Sequence, residues 1–315
     1  MALNLKRFIS IKYYYRTGIS KIKKYFPRFY NKYLPFEDMR LYYLNRTNKF
    51  LSFSHPHNIS EKLLWIARYW NDPLIVECAD KYLMKKYIGE HGYSNLLIPQ
   101  YGVYDNANDI DFEALPQKFV LKCNHGCGYN IICKDKSKLD REQTKALLNK
   151  WMSEKYGYDS VEYHYLKITP KIICEQYIDS LDGKSLIDYK MHCINGEPQF
   201  ILVCTNRDTD KHTLDLTSYS LNWERLPYLR NEGTENIPRP AYLDEMIEYA
   251  AALAKPFPYV RVDFYYINNT IYIGELTFTP AGNIMSYYKD STLDMMGNKL
   301  TLPPKKNEGY FRNNA

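Results

Sequence analysis

From Val260 to Phe278 the chain holds two runs rich in β-branched and aromatic residues, Val260-Arg-Val-Asp-Phe-Tyr-Tyr-Ile267 and Ile271-Tyr-Ile-Gly-Glu-Leu-Thr-Phe278. Between them lies a polar turn at Asn268-Asn269. This pattern predicts a β-hairpin. Arg261 and Asp263 stand two apart and share one face of the first strand; Glu275 and Thr277 do the same on the second. A three-residue loop, Asn268 to Thr270, sets Asp263 opposite Glu275 and Arg261 opposite Thr277. A two-residue loop puts the two carboxylates on opposite faces. Facing carboxylates repel. A cation would relieve them, and Mg²⁺ with its preference for oxygen ligands is the natural candidate. The plainer alternative is a hairpin with solvated charges.

The other elements follow from the same patterning. Phe36 to Phe50 reads as an aromatic helix. Asn58-Ile-Ser-Glu61 resembles a capping box, and Ile59, Leu63, Ile66 and Trp70 follow at helical spacing. Asn71-Asp72-Pro73 opens another helix, which carries Asp80, Lys81, Lys85 and Lys86 and ends between Gly89 and Ser94. Leu97 to Tyr104 is a short strand. Lys118 to Cys123 is a second, entering Asn124-His-Gly-Cys-Gly-Tyr-Asn130 and leaving through Ile131 to Lys134. A hairpin tip with Gly126 and Gly128 exposes backbone N–H groups that suit phosphate. It is neither a Walker A loop nor a dinucleotide fingerprint. Leu139 to Lys155 is an amphipathic helix and Lys171 to Ile178 a strand. Ile187 to Ile194 and Gln199 to Cys204 pair about Asn195-Gly196, the strongest turn signal in the chain. Ala241 to Ala254 is a helix, and from Asn298 the chain reads as a loose polar tail.

Composition narrows the class. A chain of 315 residues, 45% hydrophobic and 25% charged, is that of a soluble globular protein with two or three subdomains. Its seven cysteines are odd in number and form no C-x-x-C, and several sit in apolar runs, which predicts buried reduced thiols in the cytoplasm. Cys123, His125 and Cys127 match no standard zinc spacing. No apolar run approaches the roughly 20 residues of a membrane span. The net charge of +6 gathers at the N-terminus, where no acid occurs before Pro35. Residues 1–35 are thus a candidate for peripheral contact with an anionic membrane face or an acidic polymer; the plainer reading is a solvated basic tail. Nothing accompanies the charge that would mark a nucleic-acid binder.

Taken in order, the features become specific. Asn58-Ile-Ser-Glu-Lys-Leu-Leu-Trp65, Ala79-Asp-Lys81, Phe119-Val-Leu-Lys-Cys-Asn-His-Gly-Cys-Gly128, Lys171-Ile-Ile-Cys-Glu175, Asp188-Tyr-Lys190 and Gly274-Glu-Leu-Thr-Phe-Thr-Pro280 resemble the TupA-like branch of the ATP-grasp superfamily. The resemblance covers about Asn58 to Tyr288. It implies an α+β fold in which two subdomains clasp ATP. Residues 1–57 are then a basic helical region, 58–95 a helical lead-in, 96–180 the subdomain with the glycine hairpin, 181–295 the subdomain with the metal site, and 296–315 a tail.

The resemblance also implies roles. Lys81 and Lys122 would hold phosphates, under backbone N–H groups of the hairpin from His125 through Gly126 and Gly128 to Asn130. Glu175 would accept from the adenine amino group, with the backbone near Tyr177 and Ile178 reading the ring edge and Asp182 on the ribose. Asp263 and Glu275, with Thr277, would hold Mg²⁺. Arg261 would stabilise the developing oxyanion, and Arg207 or Lys190 the γ-phosphate or acceptor carboxylate. Thr277 departs from the Asn common at that position, and residues 1–80 lack the usual alternation of strands and helices. The implied reaction is ADP-forming ligation of a carboxylate to an amine in bacterial surface polysaccharide biosynthesis, on a small-molecule or polymer-linked substrate. The alternatives are a glycosyltransferase using a nucleotide sugar, an ATP-dependent sugar kinase, and a binding scaffold without activity.

Overall fold

A computed structural model describes residues 2–26, 28, 29, 33, 34, 36–70, 72–179, 186–208 and 213–306; of residues 2–10, 207 and 208 it describes the backbone only. Two antiparallel sheets carry the fold. The smaller has the order β1-β4-β2-β3 and the larger β10-β9-β5-β6-β7-β8. The small sheet comprises β1 (Gln100–Tyr104), β2 (Phe119–Cys123), β3 (Asn130–Cys133) and β4 (Ile172–Gln176). The large sheet comprises β5 (Asp188–Ile194), β6 (Glu197–Asp208), β7 (Thr213–Tyr219), β8 (Arg225–Leu226), β9 (Tyr259–Ile267) and β10 (Thr270–Thr277). Each sheet has its own apolar core: Phe112, Phe119, Leu121, Leu148 and Ile172 under the small one, and a larger cluster including Met191, Phe200, Val260, Phe264 and Leu276 under the other.

Helices α1 (Ala2–Tyr25), α2 (Glu37–Thr47) and α3 (Ile59–Tyr69) lead the chain. Helix α3 starts where the capping box predicts: Asn58 accepts from the Glu61 N–H at 3.1 Å, and Ile59, Leu63, Ile66 and Trp70 are all buried. The basic residues of α1 are partly spent on its own neighbour. Arg16 donates to the Leu44 carbonyl at 3.0 Å, Lys12 to the Asn48 carbonyl, and Lys23 pairs with Asp38 at 2.8 Å.

The single helix expected from Pro73 to Gly89 is two, α4 (Pro73–Ala79) and α5 (Met84–Glu90). Asp80 is the break. Its carboxylate accepts from the N–H groups of Tyr82 at 2.8 Å and Leu83 at 3.3 Å, an alternative to the helical ladder that short polar side chains offer. Lys81 therefore lies on a turn. Helix α6 (Arg141–Ser153) backs the small sheet and α7 (Leu243–Ala254) the large one.

Strands β7 and β8 and helix α8 (Asp290–Lys299) carry weak sequence signals and were not expected. Helix α8 contains Gly297, a poor helix former. The glycine lets α8 approach α3: a Cβ there would lie 2.4 Å from the His57 carbonyl oxygen. Nor are residues 300–306 loose. Leu300 is buried, and the Lys306 N–H donates to the Tyr69 carbonyl at 2.8 Å. Residues 307–315 lie outside the described residues.

Candidate active site

A cleft of about 160 Å³ opens between the two sheets. Lys81, Lys122, Gly126, Cys127, Gly128 and Asn130 line it from the small-sheet side, and Asp188, Lys190, Asp263 and Glu275 from the large one.

The hairpin β9–β10 sets the acidic wall. Asn268 and Asn269 both have positive φ, 50° and 58°, so the loop is the two-residue turn with left-handed residues at both centres. By itself that turn would send Asp263 and Glu275 to opposite faces. A β-bulge between Ile273 and Glu275 moves the register by one, and Glu275 pairs with Asp263 and Thr277 with Arg261 after all. The facing carboxylates expected from a three-residue loop are thus produced by a shorter loop and a bulge. Gly274 is the residue at the bulge. A Cβ on it would stand 2.7 Å from the Tyr265 ring, so the close approach needs glycine.

The expected repulsion between the carboxylates is relieved by side chains. Arg261 grips Asp263 with two parallel bonds, Nε to Oδ1 and Nη2 to Oδ2, each 2.6 Å. Lys190, the β5 neighbour of Asp263, donates to Oδ2 at 2.7 Å and lies 3.5 Å from Asp188. Burial pushes the Asp263 carboxyl up, and the charges of Arg261 and Lys190 outweigh it and hold the group below the usual carboxylate range. Burial likewise pulls the Lys190 ammonium down, and the Asp263 carboxylate more than restores it. Glu275 is 3.7 Å from Lys81, whose ammonium donates to the Gly126 carbonyl at 2.6 Å.

On the large-sheet wall, two expected site residues stand back from the cleft. Arg261 and Thr277 do not line it; the threonine hydroxyl accepts from Arg261 at 3.2 Å, which ties it to the guanidinium that grips Asp263. Of the three expected metal donors, the two that face the cleft are Asp263 and Glu275. Their carboxylate oxygens suit a hard cation such as Mg²⁺, and the ammonium of Lys190 already occupies a cation position against Asp263.

On the other wall, Glu175 is buried and its two oxygens hold two lysines, Lys122 at 2.6 Å and Lys85 at 2.7 Å. Burial pushes its carboxyl up, and the two ammonium groups outweigh that and hold it below the usual range. Lys85 was not singled out by the sequence, though a buried glutamate on a central strand demands a cationic partner. Asn124 was read as part of the hairpin but given no role. It is fully buried and accepts from the Lys171 N–H at 2.7 Å. It also donates to Asp80 at 2.9 Å and to the Thr169 carbonyl at 3.0 Å, so one side chain ties the Lys81 turn to the hairpin and to β4.

The glycine hairpin is built for close approach. Gly128 has φ +80°, and at Gly126 a Cβ would meet the Tyr156 ring at 2.8 Å. Cys127 is exposed there, unlike the other six cysteines, which are buried as expected. His125 does not face the cleft. Its Nε2 lies 3.1 Å from the Trp151 carbonyl, and burial lowers its pKa, so it anchors the hairpin to α6 from beneath. Tyr177 and Ile178 follow β4, half-buried and away from the lining of the cleft. Arg207 lies near the end of β6 with its side chain outside the described residues; Asp182 lies outside the described residues altogether. Among the described residues no group of three His, Cys, Asp or Glu could hold a metal, which removes Cys123, His125 and Cys127 as a zinc site. Nor is any described helix long and apolar enough to cross a membrane.

No curated protein matches the chain. Among solved structures it is similar to the D-alanine–D-alanine ligase of Helicobacter pylori, at 16% identity and TM-score 0.47 over 78% of this chain and 71% of that one. It is similar to the Bacillus anthracis enzyme of the same name at 18% identity and TM-score 0.45, over 71% and 67%. A D-cycloserine synthetase follows at 14% identity and TM-score 0.42, over 73% and 72%. These likenesses are too low to bear on activity. A family model, TupA-like ATP-grasp, matches residues 61–301, most of the chain from the start of α3 to just past α8. The chain belongs to the TupA-like ATP-grasp family.

Proposed function

We propose that this protein is an ATP-dependent, ADP-forming ligase that joins a carboxylate to an amine, the acid being a uronic acid or acidic polymer and the amine an amino acid, in bacterial surface polysaccharide biosynthesis. The observation that carries this reading is the division of charge across the cleft. Lys81 and Lys122 stand on one wall under a glycine hairpin, and the Asp263–Glu275 pair stands on the other. Lysines and backbone N–H groups suit the phosphates of ATP. Asp263 and Glu275 would hold Mg²⁺, which supplies charge neutralisation at the transferring phosphate.

In this scheme a substrate carboxylate attacks the γ-phosphorus of ATP, giving an acylphosphate and ADP. The amine then displaces phosphate to give the amide. No side-chain nucleophile is needed, and the protein contributes position and charge. Lys190 lines the cleft beside Asp263 and would face the acid substrate there, with Asp263 and Glu275 holding the divalent cation. Arg261 keeps Asp263 ionised and aimed. The outer face of α1 and the segment after it, where Tyr13, Tyr14, Tyr25 and Phe26 are more than half exposed, is the proposed contact with an anionic membrane or polymer.

Nucleotide product analysis tests the reaction. Purified protein is given MgATP with uronic acids, UDP-sugars and pooled amines. Release of ADP and phosphate only when both an acid and an amine are present is the expected result. ADP without free phosphate, with a sugar alone, would make the protein a kinase. Release of UDP without ATP consumption would make it a glycosyltransferase.

A further inference from the structure

One peptide unit at the tip of the glycine hairpin is gripped at both ends. The Gly126 carbonyl accepts from the Lys81 ammonium at 2.6 Å, and the Cys127 N–H of the same peptide meets the Tyr156 hydroxyl. Tyr156 lies beneath the hairpin. A Cβ on Gly126 would stand 2.8 Å from its ring. That ring packs edge-on against Tyr129 of the hairpin, with centroids 5.6 Å apart, and against Tyr165 at 5.1 Å.

Tyr156 is set in turn by Glu162. The hydroxyls of Tyr156 and Ser160 hydrogen-bond to the Glu162 carboxyl, and the Thr279 hydroxyl donates to its Oε1 at 2.5 Å. Thr279 follows Glu275 by four positions, on the segment that leaves β10. Glu162 therefore joins the hairpin of the small sheet to the segment that bears the acidic wall of the large one.

Filling space does not account for this carboxyl. Glu162 is 6% exposed, and among the described residues no cation pairs with it. Asp263 and Glu175 each have two cations, whereas Glu162 has hydroxyls alone. A buried acid without a counter-ion is costly, and an apolar side chain would fill the same place without that cost. The backbone that presents it is strained too. Val161 has φ +54°, an outlier for a β-branched residue. Gly157 has φ +90°, and its carbonyl accepts from the Glu162 N–H at 2.8 Å, so the turn 157–162 closes on itself and fixes the carboxyl. Strain of this kind persists only where the surroundings over-determine it, and it clusters at sites of function.

We propose that Glu162 is a positioning residue of the nucleotide site. Through Tyr156 it holds the Gly126–Cys127 peptide over the phosphates, and through Thr279 it keeps that peptide in step with the strand of Glu275. Glu162 does not line the cleft and acts only through these two partners. This deepens the ligase reading and rests on it for the nucleotide.

The test is a double-mutant cycle on the full chain. Tyr156→Phe keeps the ring under Gly126 and Thr279→Val keeps the side-chain shape, so each removes one hydroxyl from one end of the link. MgADP is titrated into each variant by calorimetry, with a thermal melt beside it. Each single variant should bind MgADP about tenfold more weakly than the wild type. The double variant should also lose only about tenfold, because either break already frees the hairpin. Glu162→Gln, which keeps one acceptor oxygen, should lose less. A merely structural role would lower the melting temperature and leave the MgADP affinity of the single variants unchanged; that result would overturn the proposal. So would losses that multiply to about a hundredfold in the double variant, since the two hydroxyls would then act independently. Hydrogen exchange of residues 124–130 without nucleotide separates the proposal from the reading beneath it. Exchange there should quicken in Tyr156→Phe and Thr279→Val, and unchanged exchange would mean that Glu162 does not hold the hairpin. Quickened exchange in a chain that binds no MgADP would overturn the ligase reading and uphold the link.

Discussion

The two walls of the cleft solve one electrostatic problem in opposite ways. Each buries a carboxylate on a central strand and gives it two cations: Asp263 has Arg261 and Lys190, and Glu175 has Lys122 and Lys85. Each carboxyl is held below its ordinary range by those neighbours, against the pull of burial. What faces the cleft differs. On the large sheet the acid itself lines it, and its firmest partner, Arg261, stands back. On the small sheet the acid stands back and its lysine, Lys122, lines it. One clamp thus offers a cation site and the other an anion site. A buried ion pair is weak evidence for stability, so the contrast argues that both pairs serve to aim a charge at the cleft.

The sharpest way to break this symmetry is to neutralise each acid in turn. Asp263→Asn should have the largest effect. It leaves Arg261 buried without its counter-charge, a cost of about 3–5 kcal/mol. It also removes a donor of the proposed metal site, so kcat for ADP formation should fall by at least about a hundredfold. Glu175→Gln should be milder, about 1.5–3 kcal/mol, because Lys122 can turn to the cleft and Lys85 keeps the Ile98 carbonyl at 3.2 Å. Its kinetic effect should appear in KM for ATP more than in kcat. Urea titration and steady-state kinetics of both variants check this. A kcat loss at Glu175 equal to that at Asp263 would mean that both acids touch the reacting groups.

Acid pH provides a finer comparison. A carboxyl depressed in the folded state contributes stability that is complete above the unfolded value, about 4. That contribution drains as pH falls through the folded value. Asp263 and Glu175 should therefore make the protein melt progressively lower as pH drops below about 4. Glu162 has the opposite sign. Burial raises its carboxyl, so its contribution is present at low pH and lost as pH rises through the raised value. Thermal melts from pH 7 to pH 3 should show a flatter acid limb in Glu175→Gln than in the wild type. An unchanged limb would place the acid sensitivity elsewhere.

The sequence makes the walls legible to different depths. Asp263, Glu275, Lys81 and Lys122 were all named as site residues, the two lysines from the family resemblance alone, and all line the cleft. The break at Asp80 was not legible, since nothing in a helical pattern says that an aspartate will cap the N–H groups two and three residues on and not continue the ladder. Asn124 and Lys85 were missed for a related reason. Their importance lies in partners 44 to 90 positions away, Asp80 and Glu175, which only the fold brings near. Arg261 and Thr277 were placed on the correct face, but a period of two cannot tell which residues on a face reach the cleft.

The smallest effects, and the most direct test of how the acidic wall is made, lie at the turn and the bulge of β9–β10. Asn269 has φ +58° in a two-residue turn, where glycine is equally at home. Asn269→Gly loses the Tyr266 hydroxyl bond of 2.9 Å on the surface, so stability should change by less than about 1 kcal/mol and activity not at all. Gly274→Ala changes as little chemically, yet its methyl would enter the Tyr265 ring. Either the ring moves, at about 1–3 kcal/mol, or the bulge is squeezed out. Without the bulge, the two-residue turn carries Glu275 to the opposite face and away from Asp263. Gly274→Ala should therefore lower ADP formation more than its loss of stability predicts, with Mg²⁺ dependence shifted to higher concentration. If it stays as active as Asn269→Gly, the pairing of Asp263 with Glu275 does not depend on that bulge, and the metal-site assignment loses its geometric basis.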